Sequence, residues 1–455
     1  MESGSHFSSA IMVVVTGRHP SSPSSSAAFI GRNRLLLSFV LPFRRRLSTV
    51  LLAAFVMSVC LLILGDIFVT PAYFHHESQH RRIVVAQQQY ANQQVAKKDP
   101  EESFSACLLI MDDNHWLSEW LAYHYFVLPL RHVILVRDPR SQTSPYEILE
   151  RWKGRITFEE MTDEQFIPSR LRKRLNTTEA VKLGNSHNPL VLLHRYRQQF
   201  FVMSCLKRLK QLGKTWVLLT DSDEFIRPNP YIVHPAGPEN NTEPRIDQPG
   251  SVLATIHRHE ATLNDQNQHK PCLHVPRLQI TSQDSSINTT EAVTMLDSRS
   301  LEMINTSHFL TSRWRYHSGQ EIEGPKHQDG KNLVHVGRLA DHSLPRKADT
   351  IHNVLPGICP FTTGGMLQHP DSWLLINHYL GTFEQYTYRD DPRDSISTRS
   401  KRHEAWHTAG KPASVHDTET PRWLKEFVTL VGREEAVRLL ENVGVVEPRI
   451  MEIWI

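Results

Sequence analysis

Between Leu47 and Gly65 the chain runs LSTVLLAAFVMSVCLLILG without one charged side chain, and after Asp66 the apolar run resumes with Ile67, Phe68 and Val69. About 20 such residues, each rising about 1.5 Å in a helix, cross the hydrocarbon core of a bilayer. The run has no polar face, which argues against a buried soluble helix. Arg44, Arg45 and Arg46 precede it with Arg32 and Arg34 behind them, whereas the downstream flank carries Asp66 and Glu77. The basic flank stays cytoplasmic, which predicts a single-pass type II signal anchor over 47–69 and a C-terminal body in the lumen of the Golgi or ER. A cleavable signal peptide is the competing reading, but its apolar core is usually shorter and rarely follows a 46-residue leader.

Two features agree with a lumenal body. The sequons at Asn176, Asn240, Asn288 and Asn305 all follow the anchor, although each alone arises often by chance. Cys60 lies in the membrane run, leaving Cys107, Cys205, Cys272 and Cys359, an even number suited to an oxidising compartment. Their three possible pairings stay open, as do free buried thiols. Neither CxxC nor a zinc-like Cys/His spacing occurs. With 51 basic against 48 acidic residues, charge gives no case for a nucleic-acid partner.

The chain divides into a Ser-rich cytoplasmic tail (1–46), the anchor (47–69), a Gln-rich stem (70–103), a catalytic-sized domain (104–400) and a C-terminal helical extension packed on it (401–455). SACLLIM (105–111), HVILV (132–136), ITFEEM (156–161) and WVLLT (216–220) have strand length and composition. Between them lie helical patterns: Trp116, Trp120, Tyr123 and Val127 on one, and Leu192, Tyr196, Phe200, Met203 and Leu206 on another. The latter opens at Asn188-Pro189 and stops at Gly213. Strands alternating with helices predict an α/β fold on a mostly parallel sheet. Residues 231–330 look irregular and suit long loops at the working edge, whereas 421–446 carry two amphipathic helices.

The sharpest chemical signal is Asp221-Ser222-Asp223-Glu224, directly after the apolar strand WVLLT. Ligands of open α/β sheets bind beyond the carboxyl ends of the strands. Carboxylates crowded there repel one another unless a cation sits among them. In an extended chain the i, i+2 spacing puts Asp221 and Asp223 on one side and Ser222 on the other. Such hard oxygens suit Mn2+ or Mg2+, which keep positions open for substrate phosphates and offset charge on a departing diphosphate. A solvated acidic loop is the bland alternative. Phosphoaspartyl chemistry wants Thr or Val at the fifth position, where this chain has Phe225.

Several short stretches carry a resemblance in order: EWLAYH (119–124), VRDPRS (136–141), the helix segment Gln198–Cys205, WVLLTDSDEFI (216–226), GKNLVHV (330–336), IHNVLP (351–356) and NHYLGTFEQY (377–386). Over roughly residues 104–395 the chain resembles glycosyltransferase family 92 enzymes with a GT-A fold. That resemblance implies inverting transfer of a hexose from a UDP-sugar, galactose being a plausible donor sugar, to a glycan or glycoprotein acceptor. It places Asp221 and Asp223 on the metal and donor diphosphate, with Glu224 bracing the turn or meeting the acceptor. Asp138 matches the place where such folds hold the base or ribose, a turn residue before Pro139 being its alternative. His378 is a candidate third metal ligand and His352 a second one. Glu119 and His124 sit on the first helix, where Glu119 orients the first loop or makes a structural hydrogen bond. The opening loop reads MDDNHW rather than the usual lysine-asparagine-glutamate run, leaving open whether Asp112 or Asp113 approaches the nucleotide. The general base is not identifiable from the sequence. A non-catalytic lumenal carbohydrate-binding protein on the same fold, and a metal-dependent hydrolase using the same carboxylates, are the rival classes.

Overall fold

The structure, a computed structural model, describes residues 103–175, 189–232, 245–262, 270–284, 295–319, 330–359, 367–369, 371–389 and 396–447. The expected tail, anchor and nearly all of the stem lie outside the described residues, as do Asn176, Asn240 and Asn288. Among the described residues no helix is long and apolar enough to cross a membrane.

Three of the four parallel strands that open the core are buried on both faces, which is why they read as unbroken apolar runs. β1 (Phe104–Ile110) pairs parallel with β2 (Leu130–Arg137), β2 with β3 (Thr157–Glu160), and β1 on its other side with β4 (Trp216–Leu219). Two antiparallel strands complete the sheet. Numbered after the short strand β5 (Glu224–Pro228), they are β6 (Cys272–Val275) and, beyond β7 (Arg277–Gln279) and β8 (Tyr316–His317), β9 (Lys331–His335). The order is β3-β2-β1-β4-β9-β6, a mixed α/β arrangement with a mostly parallel central sheet. A second sheet orders β5, β10 (Leu374–His378) and β7, and a small one joins β8 to β11 (Val415–His416).

Alternation along these strands feeds two cores. Ala106, Leu108, Val133, Leu135, Trp216 and Leu218 face one layer, built on α1 (Asn114–Val127) and α2 (Tyr146–Trp152). Cys107, Ile134, Val136, Val217 and Leu219 face the other, under α3 (Pro189–Gln211) with Phe200, Phe201, Met203 and Leu206. Helix α3 ends where expected: Gly213 takes a φ of +66°, a conformation glycine adopts without a Cβ clash. Helix α1 is buried on all sides except at Tyr125. It packs on the sheet and on the first of two C-terminal helices, which follow α4 (Ser251–Thr262), α5 (Leu310–Arg313), α6 (Phe383–Tyr388) and α7 (Ile396–Thr408) in the chain. These are α8 (Trp423–Val431) and α9 (Arg433–Leu439), and Trp423 and Phe427 join the first core. Helix α7 runs across residue 400, where the sequence placed a domain edge.

The described residues within 231–330 carry more regular structure than their composition suggested. They supply α4, β6, β7 and β8, and β6 closes the main sheet. The pairing of the cysteines is also resolved. Cys107 of β1 bonds Cys205 of α3, and Cys272 of β6 bonds Cys359. Asn305 is exposed and caps a short 3-10 turn, its Oδ1 accepting from the Ser307 amide at 3.2 Å.

Candidate active site

Beyond the carboxyl ends of β1, β2 and β4 opens a cavity of about 390 Å³. Ile110 ends β1, Met111 and Asp113 follow it, Asp138 follows β2, and Asp221, Ser222 and Asp223 follow β4. The reversal that places the last three is a turn, since the Asp221 carbonyl accepts from the Glu224 amide at 3.2 Å. The extended geometry expected for Asp221 and Asp223 is therefore corrected: β4 ends before them and β5 starts at Glu224, so all three residues of the turn line the cavity.

The two aspartates sit in different electrostatic settings. Asp221 keeps 42% of its side chain exposed and accepts from Lys331 Nζ at 2.8 Å. Burial pushes its carboxyl up, but Lys331, with Arg389 and Arg277 further off, holds it well below the usual carboxylate range. Glu224 is fully buried and braces the turn. Its Oε2 accepts from the Asp221 amide at 3.0 Å, and it pairs with Lys331 at 3.3 Å and Arg277 at 3.3 Å. Lys331, itself buried at the start of β9, keeps its proton because Asp221 and Glu224 outweigh the cost of burial.

Asp223 is 5% exposed and faces His378 of β10, with Oδ2 at 3.6 Å from Nε2. Burial raises the Asp223 carboxyl, and His378 and Arg389 more than offset it. The tautomer of His378 follows from its neighbour. Gln279 Nε2 donates to the carbonyls of Ile280 and His378, each at 3.1 Å, so its Oε1 must be the atom 2.7 Å from His378 Nδ1. Nδ1 therefore carries a proton, which turns Nε2 toward the Asp223 carboxylate. Asp223 Oδ1 is buried without a hydrogen-bond partner. An orphaned carboxylate oxygen beside an imidazole nitrogen is an arrangement that a cation satisfies. The Nδ1–H donated to an amide oxygen is also the outer support that metal-ligating histidines use.

The expected trio of Asp221, Asp223 and His378 is not assembled as such. Among the described residues no three His, Cys, Asp or Glu side chains converge as a ready metal cage. Lys331 draws Asp221 to itself, leaving Asp223 and His378 as the paired donors. Two protein donors with open positions nonetheless fit a hard divalent ion that completes its shell with phosphate and water. His352 lines the same cavity, and its Nδ1 lies 3.1 Å from the Gly330 carbonyl.

Asp138 stands on the wall with its oxygens committed. Oδ1 takes the Arg140 amide and Nε, each at 3.0 Å, while Oδ2 takes Arg140 Nη2 at 3.0 Å and Arg197 Nη1 at 2.7 Å. Burial raises it, and these cations lower it more. A carboxylate offers about four acceptor positions, and these four donors fill them, so Asp138 holds the rim of the cavity that it lines. Gln198 of α3 lines the cavity beside it.

The opening loop resolves the question left by MDDNHW. Asp112, at φ +57°, turns its Oδ1 to the Gln142 and Thr143 amides at 2.7 and 2.8 Å and ties two loops together. Asp113 faces the cavity instead, its Oδ2 accepting from the Met111 amide at 2.8 Å and its Oδ1 lying 3.8 Å from Arg389. Burial, aided by Asp223 and Asp221 against the pull of Arg389 and the Met111 amide, pushes it up to about 7. Near neutral pH it can either donate to a bound oxygen or stay ionised beside Arg389. Glu119 is structural: it accepts from the amides of Leu310 and Thr311 at 2.7 and 2.9 Å and caps α5. His124 is structural as well, its Nδ1 lying 2.8 Å from the Trp120 carbonyl.

Sequence reasoning missed Lys331, Arg277, Arg389, Gln279 and Gln198. Only Lys331 left a trace, as a cation opening an apolar strand. Behind and around the turn, Lys331 and Arg277 pair with Asp221 and Glu224, while Arg277 and Arg389 line the cavity with Asp113, Asp138, Asp221 and Asp223.

No family model and no curated protein matches the chain. Among solved structures it is similar to "Crystal structure of S. aureus TarS", at a TM-score of 0.25 and 13% identity over 76% of this chain and 55% of that one. The chain thus spans about half the length of that protein.

Proposed function

We propose that the chain is a metal-dependent, inverting glycosyltransferase of the family 92 type on a GT-A-like fold, moving a hexose, galactose for choice, from a UDP-sugar to a glycan acceptor. The observation that carries this is the pairing of Asp223 with His378 Nε2, beside an orphaned carboxylate oxygen, in a cavity at the carboxyl end of the sheet.

Asp223 and His378 would hold Mn2+ or Mg2+, with the exposed Asp221 at its side. Bound there, the ion would offset negative charge on the departing diphosphate. Arg277 and Arg389 face the same space and orient phosphate oxygens. Glu224 and Lys331 keep the turn rigid, so the aspartates need no rearrangement when the donor arrives. The two disulfides suit an oxidising compartment, which agrees with an anchored, lumenal enzyme of the Golgi or ER.

The test is turnover of UDP-galactose by the full-length chain with Mn2+ or with EDTA, for the wild type and Asp223→Asn. EDTA should abolish turnover, and the substitution should lower it about a hundredfold or more. Equal, metal-independent turnover by both proteins would refute the proposal.

A further inference from the structure

Asp113 and Arg389 line the cavity and approach each other to 3.8 Å, yet neither belongs to the main sheet. Asp113 directly precedes α1, and Arg389 is the residue at which α6 ends. Helix α6 has six residues, too few to hold its own end rigidly. The distance between the two side chains is therefore set by whatever ties the start of α1 to the end of α6.

That tie is a segment beyond α9, residues 444–447, and it bonds to both sides. Toward Asp113, the Gly444 amide donates to the His115 carbonyl at 2.8 Å. Asn114 Nδ2 donates to Glu447 Oε1 at 2.7 Å and to the Ser144 carbonyl at 3.0 Å. Toward Arg389, Gln385 Nε2 donates to the Gly444 carbonyl at 3.0 Å, and the Tyr388 hydroxyl donates to the Glu447 carbonyl at 2.8 Å. The rings of His115 and Tyr388 also meet edge-on at 5.6 Å between centroids. Position 444 requires glycine: its φ is +73°, and a Cβ would run into the His308 carbonyl.

We propose that Gly444 and Glu447 are positioning residues for the donor site, clamping the first turn of α1 to the end of α6 so that Arg389 is held ready for the donor diphosphate; the inference rests on the transferase reading above. A guanidinium that must first be gathered from a loose segment spends part of its contact energy on ordering, whereas one already fixed does not. The clamp touches no substrate. It acts through Arg389, so it shows in the affinity for a diphosphate and not in fold stability alone.

The test measures UDP affinity by calorimetry with Mn2+ present, alongside the melting temperature, on the full-length chain. Glu447→Ala loses only the bond from Asn114 and should weaken UDP about fivefold, the worth of one hydrogen bond. Tyr388→Phe should weaken it by a similar factor from the other side. Glu447→Gln keeps the Oε1 acceptor and should bind UDP as the wild type does. Gly444→Ala should cost about tenfold or more, and where it fails to fold the Glu447 and Tyr388 variants decide. Arg433→Ala is the control for plain destabilisation, because it frees α9 from Asp297 and Ser300 at a distance from the clamp's own bonds. It should lower the melting temperature and leave UDP affinity unchanged. Unchanged UDP affinity in both Glu447→Ala and Tyr388→Phe overturns the assignment, whatever the melting temperature does. A fall of equal size in Arg433→Ala, or in Glu447→Gln, overturns it as well. A wild type that binds no UDP fails at the transferase reading, and the clamp's role falls with it.

Discussion

Replacing Lys331 by Met separates the two jobs of the charged turn because it moves stability and cation affinity in opposite directions. The ammonium is 3% exposed and serves Asp221 at 2.8 Å and Glu224 at 3.3 Å. Breaking a buried pair by removing one partner costs about 3–5 kcal/mol. The lower end applies here, because Glu224 keeps Arg277 at 3.3 Å and the Asp221 amide at 3.0 Å, and half-solvated Asp221 adds little. At about 2.1 cal/mol/K per residue, 3 kcal/mol lowers the melting temperature of a unit the size of Lys97–Ile455 by about 4 °C. Manganese should respond the other way. A dication a few ångströms from an ammonium is repelled by about 2 kcal/mol even in water, so the substitution should tighten Mn2+ about tenfold or more. Scanning fluorimetry and Mn2+ titration followed by electron paramagnetic resonance read the two effects on one sample, with Lys331→Arg as the charge-preserving control. If Lys331→Met weakens Mn2+ along with the fold, or leaves its affinity unchanged, the ion does not bind beside Asp221.

Two further outcomes follow from the buried groups. Opening the Cys107–Cys205 bridge by a double Ser substitution frees a loop of 98 residues and should cost about 4–5 kcal/mol, read as a lowered denaturant midpoint. Four buried groups oppose one another over part of the acid range. Burial lowers His115 and His124 to about 3, so their contribution is lost as pH falls below 6.5; burial raises Asp113 and Glu119 to about 7, so theirs is lost as pH rises above about 4.5. Glu119→Gln removes one opposing proton, and between about pH 4.5 and 6.5 its stability should fall on acidification by about 1.4 kcal/mol per pH unit relative to the wild type.

The parts of the fold legible in the sequence are those whose partners lie nearby in the pattern. β1, β2 and β4 are buried on both faces, so they appear as apolar runs, and α3 announces itself by Pro189 at its start and Gly213 at its end. β7 is three residues long, too short for any periodicity, and gains its identity from β10, far along the chain. Arg277 and Gln279, which it carries into the site, were invisible for that reason. Lys331 is similar: a lysine opening a strand reads as a solvated end, and only Asp221, 110 positions away, explains why it is buried.

The two aspartates of the motif make the same point within the site. At the level of sequence they are equivalent, two carboxylates flanking a serine. In the folded chain β9 delivers an ammonium to the first and β10 delivers an imidazole to the second. An ammonium neutralises its carboxylate outright. The imidazole meets one oxygen of its carboxylate and leaves the other, Oδ1, buried without a hydrogen-bond partner. A motif that repels itself in isolation is thus divided into a half already balanced by the protein and a half still open to an ion. That division comes from β9 and β10 flanking the turn, not from the spacing of its residues.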